Sequence, residues 1–175
     1  MTTYKIDAAH SEVAFTVRHM MFAKVRGQFK SWSAELNYDA QAPEKSSVSA
    51  DIETGSIDTR EAARDTHLRS ADFFDAEQFP KMSFKSKSVQ SAGKGRYKLV
   101  GDLSIRGTTR EISLDVEETG RGKDPWGNAR IGFSVTGSLS RSEWGLKWNQ
   151  ALEAGGVLVS DKVDIEIEAQ VIESK

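Results

Sequence analysis

The chain contains no cysteine. That excludes a disulfide framework and a thiolate metal site, and it fits a reducing compartment. Histidine is scarce: His10, His19 and His67 are the three present, and none sits at the close helical spacing that metal sites favour. No metal and no other cofactor is therefore expected. Long apolar runs are missing. The longest is Met20 to Ala23, against the roughly 20 residues a membrane-spanning helix needs. Neither sign of charge dominates: 24 basic and 26 acidic residues leave a net charge of -2, spread evenly. This excludes the basic stripe with which a nucleic-acid binder meets phosphates. Glycine-rich phosphate loops and nucleophile-elbow patterns are absent. The opening residues, Met1 to Asp7, carry no apolar signal core and run straight into strand pattern, so a cytoplasmic location is the expectation.

What the chain does have is a two-residue rhythm. It appears in Val13-Ala14-Phe15-Thr16-Val17, Tyr97-Lys98-Leu99, Leu103-Ser104-Ile105, Ile112 to Val116, Ile131 to Val135 and Val163 to Ile167. Side chains of a strand alternate between faces, so each segment has one apolar and one wet face. The spacing predicts strands over Glu12 to Arg18, Lys24 to Tyr38, Ser47 to Ser56, Lys81 to Gln90, Arg96 to Ile105, Thr109 to Glu118, Ala129 to Arg141 and Lys162 to Ile172. In the second, Val25, Gly27 and Phe29 share one parity while Trp32, Ala34, Leu36 and Tyr38 share the other. A bulge near Lys30-Ser31 repairs the slip. Eight long strands joined by short hairpins fit one all-β domain over residues 1–175, an antiparallel barrel closed on itself and of the size that holds one small ligand.

One helix interrupts the rhythm. Asp58 caps it in this reading, Glu61 completes a capping box, and the helix continues to about Arg69. Glu61 with Arg64, and Asp65 with Arg69, form pairs on its exposed face. Asp72-Phe73-Phe74-Asp75 adds a further turn before Pro80.

The candidate site follows from the parity. Val13, Phe15, Val17, Phe29, Phe84, Leu99, Leu103, Leu114, Val116, Phe133, Val135 and Ile165 fall on the apolar faces and line the lumen. Any β protein needs such a core; the functional reading adds that this one is hollow. Phe73 and Phe74 lie off the sheet, where they cap one end or line a portal. His19, at a strand end beside Met20, Met21 and Phe22, is the candidate contact for a polar head group at the mouth. His10, three residues after Asp7, reads as a turn that anchors the first strand. No catalytic set emerges. Two other readings stay open: a barrel hydrolase or isomerase on a lipid-like substrate with His19 or His67 as base, and a filled barrel acting through protein partners at exposed Trp126, Trp144 or Trp148.

Seven segments carry a resemblance. They are Asp7-x-x-His10-Ser11 before Phe15 and His19; Val25-Arg26-Gly27-x-Phe29; Arg64-Asp65-x-His67-Leu68-Arg69-Ser70-x-Asp72-Phe73-Phe74-Asp75; Phe79-Pro80-x-x-x-Phe84; Gly101-x-Leu103-x-Ile105-x-Gly107-x-Thr109; Gly132-Phe133; and Arg141-x-x-Trp144-Gly145. With these, the chain resembles the YceI-like family of bacterial polyisoprenoid-binding proteins over nearly its whole length. The resemblance implies an extended, lipocalin-like eight-stranded barrel with a helix across one side. It implies a long isoprenoid, an isoprenoid-tailed quinone or another amphiphilic lipid in the lumen, bound for storage or transport without catalysis. A homodimer is the further expectation.

Overall fold

The computed structural model describes residues 1–153 and 155–174. In chain order the strands are β1 (Thr2–Ile6), β2 (Glu12–His19), β3 (Ala23–Phe29), β4 (Trp32–Tyr38), β5 (Ser47–Glu53) and β6 (Ile57–Asp58). Helix α1 (Ala62–Arg69) follows, then β7 (Lys81–Ser91), β8 (Arg96–Ile105), β9 (Thr108–Lys123), β10 (Ala129–Ser140) and β11 (Lys162–Glu173).

These strands close an eight-position antiparallel barrel because three positions are each built from two short strands. β1 and β2 both pair with β11, through Ile6↔Val171 and Phe15↔Ile165. They are one strand interrupted by the 3-10 turn Ala8–His10. β4 pairs with β1 and β3 with β2, the break falling at Lys30-Ser31. β5 pairs with β4 and β6 with β3, around the 3-10 turn Thr54–Ser56. The second and third breaks face each other and bond: Lys30 N–H donates to Ser56 O at 3.1 Å and Glu53 N–H to Ser31 O at 3.0 Å. The parity slip expected at Lys30-Ser31 is thus a real interruption, and both halves keep their apolar residues inward.

The first turn explains the Asp7-x-x-His10-Ser11 block. Asp7 accepts from Ala9 N–H at 3.2 Å and meets His10 Nδ1 at 2.7 Å. Ser11 Oγ accepts from Gln170 N–H at 2.9 Å, tying the turn to β11. These are anchoring contacts of the kind the sequence suggests.

Four expectations need correction. The capping box does not form. Glu61 is the N-cap without a side-chain bond, while Asp58 accepts from Arg60 N–H and pairs with Lys30. Arg60 has φ of +66°, which lets the chain turn sharply between β6 and α1. The Asp65–Arg69 surface pair is absent, although Arg64 does meet Glu61 at 3.1 Å. Asp65 is buried and accepts from Thr59 N–H at 2.9 Å and from its hydroxyl, since a buried carboxylate needs donors more than helix propensity needs an i,i+4 pair. Arg69 donates instead to Gly55 O and Ile57 O. Ala71–Phe74 form hydrogen-bonded turns rather than more helix, with Phe73 N–H donating to Ser70 O and Phe74 N–H to Leu68 O. Finally, β9 runs on to Lys123, five residues past its expected end, because Gly120 to Lys123 still find partners on β10.

Two clusters of buried residues make up the interior. One gathers Phe29, Ile57, Phe73, Trp144 and Leu146 beneath α1. The other joins Tyr38, Ile131, Phe133 and Val171 at the far end.

Candidate functional site

Residues of both clusters line a cavity of about 710 Å³ inside the barrel, within the roughly 300–1,000 Å³ of small-molecule sites. On β11, Val163, Ile165, Ile167, Ala169 and Val171 all line it. Those eight steps correspond to roughly 26 Å along a strand. The cavity is a tube rather than a pit, with β-sheet periodicity turning one face of each strand into its wall.

All twelve lumen candidates lie on that wall: Val13, Phe15 and Val17 of β2, Phe29 of β3, Phe84 of β7, Leu99 and Leu103 of β8, Leu114 and Val116 of β9, Phe133 and Val135 of β10, and Ile165 of β11. His19, Phe73 and Phe74 line it as well, at the α1 end. Phe29 and Phe74 meet edge to face, ring centroids 5.7 Å apart, and Phe15 packs on Phe29 at 5.6 Å. Phe73 is buried against Trp148 at 5.5 Å, and the His67 ring stands edge-on to both, at 5.1 and 4.6 Å. Arg106 fixes the segment by donating to Phe73 O at 3.0 Å.

The polar groups at this end are mostly occupied. Arg64 spends Nε on the Thr59 hydroxyl, Nη2 on Thr59 O and Nη1 on Glu61. Arg141 is buried and donates to Leu146 O, Ser160 O and Val159 O, its guanidinium 5.7 Å from the Phe73 ring centroid. Burial pulls its pKa below the ordinary value, partly countered by Asp161. His67 Nε2 meets Asp72 Oδ2 at 2.8 Å. Among the described residues the His19 ring has no hydrogen-bond partner, although the residue bridges to Val159 through the backbone.

At the other end Tyr38 and Tyr97 bring their hydroxyls to 3.2 Å inside the tube. Burial, then the bond to Tyr97, pushes the Tyr38 pKa up, and either hydroxyl of the pair can donate to the other. Sequence reasoning gave Tyr38 the inward parity but not a place in the site. The loop residues Leu146, Trp148, Leu158 and Val159 also line the cavity and were missed. They carry no periodicity that would mark them.

The tryptophans divide. Trp126 is 78% exposed on the β9–β10 hairpin. Trp148 is half-buried against Phe73. Trp144 is 1% exposed and donates Nε1–H to Leu103 O at 2.9 Å. The expectation of an exposed Trp144 is therefore wrong: the 3-10 turn Arg141–Trp144 folds the indole under the barrel end. Among the described residues no three histidine, aspartate or glutamate side chains gather as a metal site. No described helix is long and apolar enough to cross a membrane.

Comparison with known proteins agrees with this architecture. The YceI-like domain model matches residues 4–171. A UPF0312 protein of Staphylococcus aureus strain USA300 is 39% identical over 171 residues, covering 97% of this chain and 97% of that protein. Among solved structures, BcnA of Burkholderia cenocepacia superposes with a TM-score of 0.83 at 23% identity, over 94% of this chain and 98% of its own. A polyisoprenoid binding domain from Saccharophagus degradans, implicated in plant cell wall breakdown, does so at 0.70 and 13% identity, over 99% of this chain and 100% of its own. At those identities the two structures speak to the fold alone.

Proposed function

This chain belongs to the YceI-like family, and from that premise we propose that residues 1–175 act as one non-catalytic unit that binds and carries a long-chain apolar lipid, a polyisoprenoid or an isoprenoid-tailed quinone. The observation that carries the reading is the unbroken apolar tube running from His19 and Phe73 to Tyr38 and Tyr97.

The physics favours a tail over a head. Each buried methylene contributes about 0.8 kcal/mol, so an extended tail binds tightly without one specific polar contact. A charge deep in the tube would lack a partner, because the arginines at its rim already have theirs. The reading assigns His19 to the head group at the α1 end and gives Phe73 and Phe74 the role of a cover whose movement gates exchange. It gives His67 a packing role: its imidazole is held between Asp72, Phe73 and Trp148.

Organic extraction of purified protein followed by mass spectrometry tests the proposal. The expected result is a co-purifying long-chain lipid, lost from a folded Phe133→Glu variant because an unpaired carboxylate then sits in the tube. A lipid-free wild-type protein that also binds no added isoprenoid would overturn it.

A further inference from the structure

We propose that the β2–β3 hairpin tip, Met20-Met21-Phe22, is a membrane-docking point that places the tube's mouth against an anionic lipid surface. The purpose of such docking, lipid exchange, rests on the carrier reading above; the docking itself rests on the tip.

Three consecutive large apolar side chains stand in solvent there: Met20 is 41% exposed, Met21 57% and Phe22 74%. Val157 of the neighbouring loop, 38% exposed, extends the patch. Isolated exposed apolar residues are ordinary, but a contiguous cluster at a protruding tip marks an interaction surface.

The backbone makes the choice of residues stranger. Met20 has φ of +55° and Met21 +70°. Both centre the turn that the His19↔Ala23 pair closes. Consecutive positive φ values are the territory of Asn-Gly, and a residue with a Cβ is disfavoured there. A sequence serving the fold alone would put polar, permissive residues at this tip. Methionine at both positions costs the hairpin stability and costs the surface solubility, and the contact of Met21 with Gly156 still leaves more than half of its surface in solvent, so the exposed apolar surface points to a role outside the fold.

Charge and position identify the partner as a membrane. Arg18 and Lys24 face each other one pair below the tip, both exposed, and neither is in an ion pair among the described residues. The adjoining loop from Gly145 to Ser160 carries Lys147 and a single acidic residue, Glu153. An apolar tip collared by basic side chains matches a bilayer whose surface is anionic and whose interior is apolar. The tip is also continuous with the tube. His19 lines the cavity, and Met20 N–H donates at 2.7 Å to the carbonyl of Leu158, which lines it too. Met21 lies over Gly156 of the same loop, where a Cβ would come within 3.0 Å of its Sδ. Seating the tip in a bilayer brings the mouth to the interface.

Co-sedimentation with vesicles containing phosphatidylglycerol tests this, with pure phosphatidylcholine vesicles as reference. Wild-type protein should sediment with the anionic vesicles, and added salt should weaken the association. Met21→Ser with Phe22→Ser should lower the bound fraction about tenfold or more. Arg18→Gln with Lys24→Gln should remove the preference for anionic lipid. Met20→Asn with Met21→Gly separates this role from a structural one: it should raise Tm while lowering vesicle binding. A Phe22→Trp variant should show a blue-shifted emission component, quenched by brominated lipid, that wild-type protein lacks. Absence of vesicle binding by wild-type protein, or unchanged binding by the Met21/Phe22 variant, overturns the proposal. So does light scattering that shows the same variant turning a dimer into monomers, which makes the tip a subunit contact. Lipid extraction from each variant keeps the two proposals apart: co-purified lipid without vesicle binding refutes the docking point alone.

Discussion

Phe15 lies across the backbone of Gly27, its direct cross-strand partner on β3. A Cβ at Gly27 would collide with the Phe15 ring and approach Thr59 Cγ2 at 2.9 Å. The glycine occupies an inward position between Val25 and Phe29, so its missing side chain gives the ring room to lie flat on the wall. Phe84 uses Gly101 in the same way, with Cζ 2.5 Å from where a Cβ would stand. Large aromatic rings can thereby line a narrow barrel without filling it.

Gly27→Ala should therefore damage capacity as well as stability. The methyl group pushes Phe15 off the wall and into the tube. Overpacking of this kind costs about 1–3 kcal/mol, read as a lower urea midpoint. A Gly27→Ala, Phe15→Leu double variant should recover part of both losses. If Gly27→Ala binds an isoprenoid probe as well as wild-type protein, the flat ring is not what keeps the lumen open.

The barrel was legible in the sequence because one physical demand, an apolar face every second residue, was repeated along each strand. Even the interruption at Lys30-Ser31 showed as a change of parity between Phe29 and Trp32. Where local chemistry competed with tertiary burial, reading failed. Asp65 looks like half of a surface ion pair until the fold buries it beneath Thr59. Trp144 looks like an exposed anchor until Leu103 O offers its indole a partner. The 145–159 loop closes the site through irregular contacts such as Leu158 O with Met20 N–H, which leave no periodic trace.

Acid should loosen the far end of the barrel. Arg130 Nη1 meets Asp7 Oδ2 at 2.7 Å, and its Nε meets Asp124 Oδ2 at 2.8 Å. One guanidinium thus joins the turn after β1 to the β9–β10 hairpin. The bond from Arg130, then that from His10, holds the Asp7 carboxyl below the usual carboxylate range. Burial pushes Asp124 up, but bonds from Arg130 and Asn128 outweigh it and hold that carboxyl low too. Both carboxyls bind protons more weakly folded than unfolded. Their stabilisation is complete above the ordinary carboxylate pKa of about 4 and is lost as pH falls through the lower folded values. Arg130→Gln should lower stability at neutral pH and flatten its decline toward about pH 3. Urea unfolding of both proteins across that range checks this; parallel curves would refute it.

His19 should discriminate between head groups. Its ring lines the tube's mouth without a side-chain partner among the described residues, whereas Arg64, His67 and Arg141 at the same end are already bonded. A ligand head that reaches this end therefore finds one uncommitted polar side chain. If the head is anionic, the imidazole supplies a charge-assisted hydrogen bond worth roughly 1.5–3 kcal/mol, about tenfold or more in affinity. A quinone carbonyl draws a neutral bond, roughly half as strong. The tail's contribution is common to both and cancels in the comparison. His19→Gln should thus weaken a polyprenyl phosphate several-fold more than a quinone of matched tail length, measured by displacement of a fluorescent fatty probe. Equal losses would make His19 a structural residue of the mouth. No loss for either ligand would put the head group at the opposite end, against the Tyr38 and Tyr97 hydroxyls, where a neutral donor pair suits a carbonyl and disfavours a phosphate.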